Sequence, residues 1–92
     1  MQFQNSKALS QLLTKGMVAT LRNYPYKEKQ LVIINKKFKA KITKVINEYT
    51  MTDVENYAVI SGFSDNAEWI DAACELNEGQ LPKYLVVVEM LY

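Results

Sequence analysis

Four apolar residues in a row, Leu85-Val86-Val87-Val88, lie inside the segment Tyr84 to Leu91, close to the end of this 92-residue chain. A strand that is apolar on both faces needs cover above and below and neighbours at both edges. The last strand in sequence is therefore expected to lie in the middle of a sheet. Only one core is available for that sheet, because a chain this short, with 49% apolar residues, sits at the small end of the domain range. Residues 1–92 are read as a single domain.

Local patterning supplies the other elements. Ser6 can cap a helix running to about Lys15, with Leu9, Leu12 and Leu13 on one face and Gly16 as its stop. Met17 to Arg22 is a run of extended-chain formers that puts Thr20 and Arg22 on one strand face, and Asn23-Tyr24-Pro25-Tyr26 reads as a loop. Leu31-Val32-Ile33-Ile34 is a continuous apolar run consistent with burial on both faces, followed by a hairpin turn at Asn35-Lys36-Lys37. From Phe38 to Thr43 the residues alternate, with Phe38, Ala40 and Ile42 on one side and Lys39, Lys41 and Thr43 on the other. Lys44-Val45-Ile46 breaks that alternation, as a bulge or an early strand end would.

Thr52 or Asp53 can cap a second helix that Gly62 ends, and Ser64 can cap a third with Trp69, Ile70, Ala73 and Leu76 along one face. The resulting order is helix, strand, two strands joined by a tight turn, two helices, strand. It lacks the repeating βαβ pattern, which predicts an α+β class: short strands of mixed direction with helices packed on one side.

The near-neutral total charge conceals two unlike halves. Before Glu48 there are ten basic residues against Glu28 alone, and from Glu48 onward there is Lys83 against nine acidic residues. Such asymmetry points to nucleic-acid or membrane-surface partners, or to a fold that interleaves the halves and neutralises them. No segment approaches the roughly 20 apolar residues of a membrane span, so no membrane partner is expected. The first residues lack the apolar stretch of a signal sequence, and Cys74, the only cysteine, cannot form an intramolecular disulfide. A soluble, cytoplasmic protein is expected. With no histidine and one cysteine, the chain lacks the usual zinc or copper ligands and the base of Ser–His or Cys–His catalysis. Neither metal nor cofactor is expected.

Several short motifs in order resemble the ASCH domain, a family of the PUA-like superfamily. They are Lys15-Gly16-Met17-Val18-Ala19-Thr20-Leu21-Arg22, then Ala40-Lys41-Ile42-Thr43-Lys44-Val45, then Gly62-Phe63-Ser64 with the Glu68-Trp69 helix, then the apolar last strand. The resemblance implies a small PUA-like mixed β-barrel flanked by helices, with a cleft between them that binds RNA or a modified nucleoside. One bacterial branch of similar length hydrolyses the amide of N4-acetylcytidine. Its first motif reads Lys-x-x-Thr-x-Arg, and a glutamate precedes its Gly-Phe element.

In this chain Thr20 and Arg22 match the threonine and arginine positions, whereas Met17 stands at the lysine position and Ser61 at the glutamate position. Methionine cannot attack an amide, and serine in place of glutamate removes a general acid or base. Lys15 lies two residues from the lysine position, about 6 to 7 Å along an extended strand. The expectation is therefore a catalytically impaired binding module for RNA or a modified nucleoside. Its ligand would be held by Thr20, Arg22, Tyr24, Lys39, Lys41 and Ser61. The alternatives are a divergent amidohydrolase using Lys15 and Thr20, and a protein-interaction domain whose segregated charges drive self-association or meet another protein.

Each residue also has an ordinary reading. Arg22, the only arginine, carries five donors in a fixed fork suited to phosphate or a carbonyl-bearing base, or it can form a salt bridge to Glu68 or Glu89. Tyr24 and Tyr26 flank Pro25 and can stack on a base or simply cover a small core. Lys36, Lys37, Lys39, Lys41 and Lys44 can follow a nucleic-acid backbone or serve as a solvated strand face. Trp69 and Phe63 read as core packing.

Overall fold

The structure is a computed structural model that describes residues Met1–Leu91. Helix α1 (Ser6–Lys15) is followed by β1 (Met17–Arg22), β2 (Leu31–Ile34) and β3 (Phe38–Asn47). Helix α2 (Met51–Tyr57) continues into a 3₁₀ turn (Ala58–Ile60), and α3 (Asn66–Leu76) leads to β4 (Tyr84–Met90). The strands form one sheet in the order β1-β4-β3-β2, with every neighbouring pair antiparallel. The apolar last strand is thus internal, between β1 and β3.

The class is α+β, but the sheet is open rather than closed into the barrel that the resemblance implies. Strands β1 and β2 are its two edges, and four strands are too few to wrap around a filled interior, which takes about eight. The strand directions are uniformly antiparallel, not mixed. Helices cover both faces instead of one, because β1 and β4 are buried on both sides. On one face α1 and the leading segment pack through Phe3, Ala8 and Leu12 against Val18, Val32, Ile34, Ala40, Ile42, Val86 and Val88. On the other, Val54 of α2 and Trp69 of α3 pack against Ala19, Leu21, Leu85 and Val87.

The broken alternation in β3 is a bulge. Ile42 pairs with Val88 and Lys44 with Val87, which leaves Thr43 unpaired, and its hydroxyl donates to the Val87 carbonyl at 3.3 Å. The extra residue reverses the faces beyond it. Ala40 and Ile42 join the α1 side, whereas Val45 joins that side and Ile46 the opposite one.

Strand β2 departs from the expectation of two-sided burial. Val32 and Ile34 are buried, but Leu31 is 69% exposed and Ile33 49%. Helices α2 and α3 cover only the β1–β4 side of their face, so this edge strand has one bare side. The hairpin turn does fall at Asn35-Lys36, both with positive φ (50° and 60°), as a tight turn between twisted strands requires.

The helix caps also differ in place. Asn5, not Ser6, caps α1 by accepting from the Lys7 and Ala8 amides, and Gly16 ends it at φ 81°. Thr50 caps α2 in a reciprocal box with Asp53, and Asp65 rather than Ser64 caps α3.

Candidate functional site

Antiparallel pairing fixes which way the backbone of β1 points. The Met90 amide donates to the Gly16 carbonyl at 2.9 Å, so the register places Val18, Thr20 and Arg22 in hydrogen-bonded pairs with β4. Met17, Ala19 and Leu21 consequently direct their N–H and C=O groups to the free edge. The side chains of Thr20 and Arg22 lie on the α1 side of the sheet.

That edge is wrapped at its Met17 end. The Gln11 side-chain amide donates to the Met17 carbonyl at 3.2 Å. Lys7 of α1 and Glu68 of α3 form an ion pair at 2.8 Å around the edge. Lys7 and the Ser64 amide together hold the Glu68 carboxyl below its usual pKa. Between those helices passes Gly62, so close to α1 that a methyl group there would lie 2.4 Å from the Lys7 carbonyl oxygen. Phe63 follows and packs against both cores.

Beyond this clasp the edge opens into a cavity of about 250 Å³. Its walls are the leading segment with Phe3, the edge residues Ala19 to Asn23, and the α3 side with Phe63, Trp69, Ala73 and Leu76. The far end is closed by Asn23, whose side-chain Nδ2 donates to the side-chain Oδ1 of Asn77 and whose own Oδ1 accepts from the Lys83 main-chain amide at 3.0 Å.

Arg22 is the one charged side chain in this lining. Its guanidinium lies 4.5 Å from the centroid of the Phe3 ring. Nε donates to the Thr20 hydroxyl at 3.1 Å and Nη1 to the Gln2 carbonyl at 2.6 Å. Two of five donors are thereby used, and among the described residues no carboxylate pairs with it; Glu68 instead pairs with Lys7. Burial lowers the Arg22 pKa from its ordinary value, and the Tyr26 phenol acts in the opposite direction. The group remains a cation at neutral pH. A half-buried guanidinium without a counterion, stacked on an aromatic ring, can accept an anion or a carbonyl oxygen from a ligand.

The structure brings together only part of the residue set expected from the sequence. Thr20 and Arg22 meet in the cavity wall. Ser61 is fully buried, but its hydroxyl donates to the Ala58 carbonyl at 2.7 Å and accepts from the Phe63 amide at 3.1 Å. It shapes the turn and does not line the cavity. Tyr24 is 54% exposed, outside the cavity, with its ring 4.6 Å from that of Tyr26. Lys39 and Lys41 lie on the other face of the sheet, across from Ile33 and Leu31. Lys15 is exposed in the last turn of α1, and Met17 packs on the α2–α3 side.

The separation of Met17 from Thr20 has a simple cause: an odd spacing along a regular strand puts side chains on opposite faces. Conversely, Gln2, Phe3, Phe63 and Trp69 line the cavity although none was expected there. Phe63 and Trp69 carry a core pattern and also serve as core, and nothing in the first residues signals that they fold back onto Arg22.

The cavity lining contains no Lys, His, Cys, Asp or Glu. Among the described residues no group of His, Cys, Asp and Glu side chains could hold a metal ion, and no helix is long and apolar enough to cross a membrane. Comparison of the chain with family models, with curated proteins and with solved structures gives no match.

Proposed function

We propose that this chain is a binding module for RNA or a modified nucleoside, taking one nucleotide into the cavity at the β1 edge. The observation that carries this reading is Arg22: a partly buried guanidinium in a cavity wall, stacked on Phe3 and paired with no carboxylate among the described residues. Aromatic walls from Phe3, Phe63 and Trp69 suit a planar base. The volume of about 250 Å³ is below the roughly 300–1,000 Å³ of drug-sized sites and suits one base rather than several. The resemblance to the ASCH domain, through Thr20 and Arg22, points to the same ligand class. Binding is favoured over amide hydrolysis because the lining holds no Lys, His, Cys, Asp or Glu to act as a nucleophile or as a general base for the Thr20 hydroxyl.

Trp69, the only tryptophan, walls the cavity, so its fluorescence reports ligand entry. Titration with the four ribonucleoside monophosphates, N4-acetylcytidine and a short single-stranded RNA is expected to give a saturable change for at least one of them. Because Arg22 is the only cation in the lining, the salt dependence should be shallow, about that of one phosphate. No response to any of these probes would remove the reading. A steep salt dependence would move the binding surface to the lysine strand.

A second reading, protein interaction, is favoured by the bare side of β2, where exposed Leu31 and Ile33 sit across from Lys41 and Lys39. Acidic residues Asp71 and Glu75 are exposed on α3, and charge attraction between copies weakens as salt rises. Sedimentation at low and high salt is expected to show oligomers that dissociate as salt rises. A monomer at both concentrations would exclude self-association.

A further inference from the structure

The N–H and C=O groups of Ala19 and Leu21 face the free edge of β1, and both residues line the cavity. Ala19 is fully buried and Leu21 nearly so. Met17, the third outward residue, has its carbonyl satisfied by Gln11. No corresponding bond to Ala19 or Leu21 is made within the described residues, where the remaining backbone bonds outside the helices and strands lie elsewhere. Buried main-chain donors and acceptors nearly always have partners. This edge therefore presents, inside a cavity, the pairing groups that another strand would use.

An extended residue offers its donor and its acceptor side by side on one side of the chain. The Watson–Crick edge of an unpaired base carries a complementary neighbouring acceptor and donor, and proteins that recognise single strands hydrogen-bond that edge. We infer that the β1 backbone at Ala19 reads the Watson–Crick edge of a single unpaired base, while Arg22 holds the phosphate of the same nucleotide. This rests on the nucleotide reading above and narrows it to an unpaired nucleotide whose pairing edge is free. Base-paired nucleic acid is excluded as ligand, because its pairing edge is occupied. Phe63 and Trp69, from the α3 side, and Phe3, from the leading segment, wall the space in which the base lies.

The test compares uridine monophosphate with its N3-methyl counterpart and guanosine monophosphate with its N1-methyl counterpart, by Trp69 fluorescence. Methylation removes the donor at the pairing edge and adds bulk against Ala19. Affinity is expected to fall by at least about tenfold, the effect of one buried hydrogen bond left unmade. In the protein, Ala19→Pro removes the outward N–H without touching the β1–β4 ladder, a position where an edge strand accepts proline. A folded variant should lose the preference for the unmethylated nucleotide. If Ala19→Pro does not fold, the methylated pairs decide alone. Equal binding of methylated and unmethylated nucleotides would overturn edge reading while leaving nucleotide binding intact. No binding of either form would overturn both.

Discussion

Replacing Arg22 with alanine is expected to lower nucleotide affinity by at least about tenfold, because a hydrogen bond to a charged group is worth about 1.5–3 kcal/mol. The same change should alter folding stability by only about 1 kcal/mol, since two opposing effects nearly cancel. Lost are the bonds to Thr20 and to the Gln2 carbonyl and the stack on Phe3, the stack worth about 0.5–1 kcal/mol at exposed sites and more when desolvated. Relieved is the cost of keeping a cation partly buried with no carboxylate partner among the described residues, the burial that lowers its pKa. Arg22→Lys keeps the charge but not the fork, and should recover only part of the affinity. Fluorescence titration and denaturant unfolding of the same samples separate the two effects. If stability collapsed while affinity held, Arg22 would be a strut for the leading segment and not a ligand-holding group.

Gly62→Ala should be strongly destabilising. Gly62 has φ 89°, and an added Cβ would lie 2.4 Å from the Lys7 carbonyl oxygen and 3.0 Å from Cβ of Gln11. The left-handed backbone alone costs an L-residue about 1–2 kcal/mol, and forcing α1 outward adds about 1–3 kcal/mol more. A drop in melting temperature of about 10 °C or more is expected for a domain of this size. Gly79→Ala is the control: φ is 84° there, but nothing lies within 4 Å of the added atom. It should show the backbone cost alone. Equal losses at the two positions would mean that the close approach of the loop to α1 contributes nothing.

How much of this was legible in the sequence depends on the range of the interaction. The internal place of β4 could be read from Leu85 to Val88, because two-sided burial leaves a continuous apolar run. The tight turn at Asn35-Lys36 and the stop at Gly16 could be read because they depend on neighbouring residues only. Leu31 to Ile34 carries the same kind of apolar run as β4 and is nevertheless half exposed. Composition records what a strand can tolerate, while the helices that cover it are placed by distant contacts. The bulge at Thr43 explains why Lys44 to Ile46 fell out of step, but either a bulge or a strand end fits that pattern in one dimension.

The candidate site divides along the same line. Thr20 and Arg22, two residues apart on one strand, share a face by geometry. Met17 cannot join them because its spacing from Thr20 is odd. Motif order and charge point to Ser61 and the lysines of β3, but neither specifies a face or a hydrogen-bond partner. The arrival of Gln2 and Phe3 at Arg22 depends on the Phe3 main-chain bonds to Asn35, separated from it by most of the first half of the chain.

The internal position of β4 has a consequence for how the protein is made. A ribosome releases β1, β2 and β3 before β4, and β1 joins the β2–β3 hairpin in the sheet only through that last strand. The β2–β3 hairpin can form early, but β1 has no partner until Met90 has cleared the exit tunnel. Until then the apolar residues of β1 remain a solvent-exposed, unpaired segment, the kind of species that chaperones bind and that aggregates when they do not. A nascent chain stalled before Tyr84 would hold every residue of the Arg22 side of the cavity and still have no strand to pair with β1.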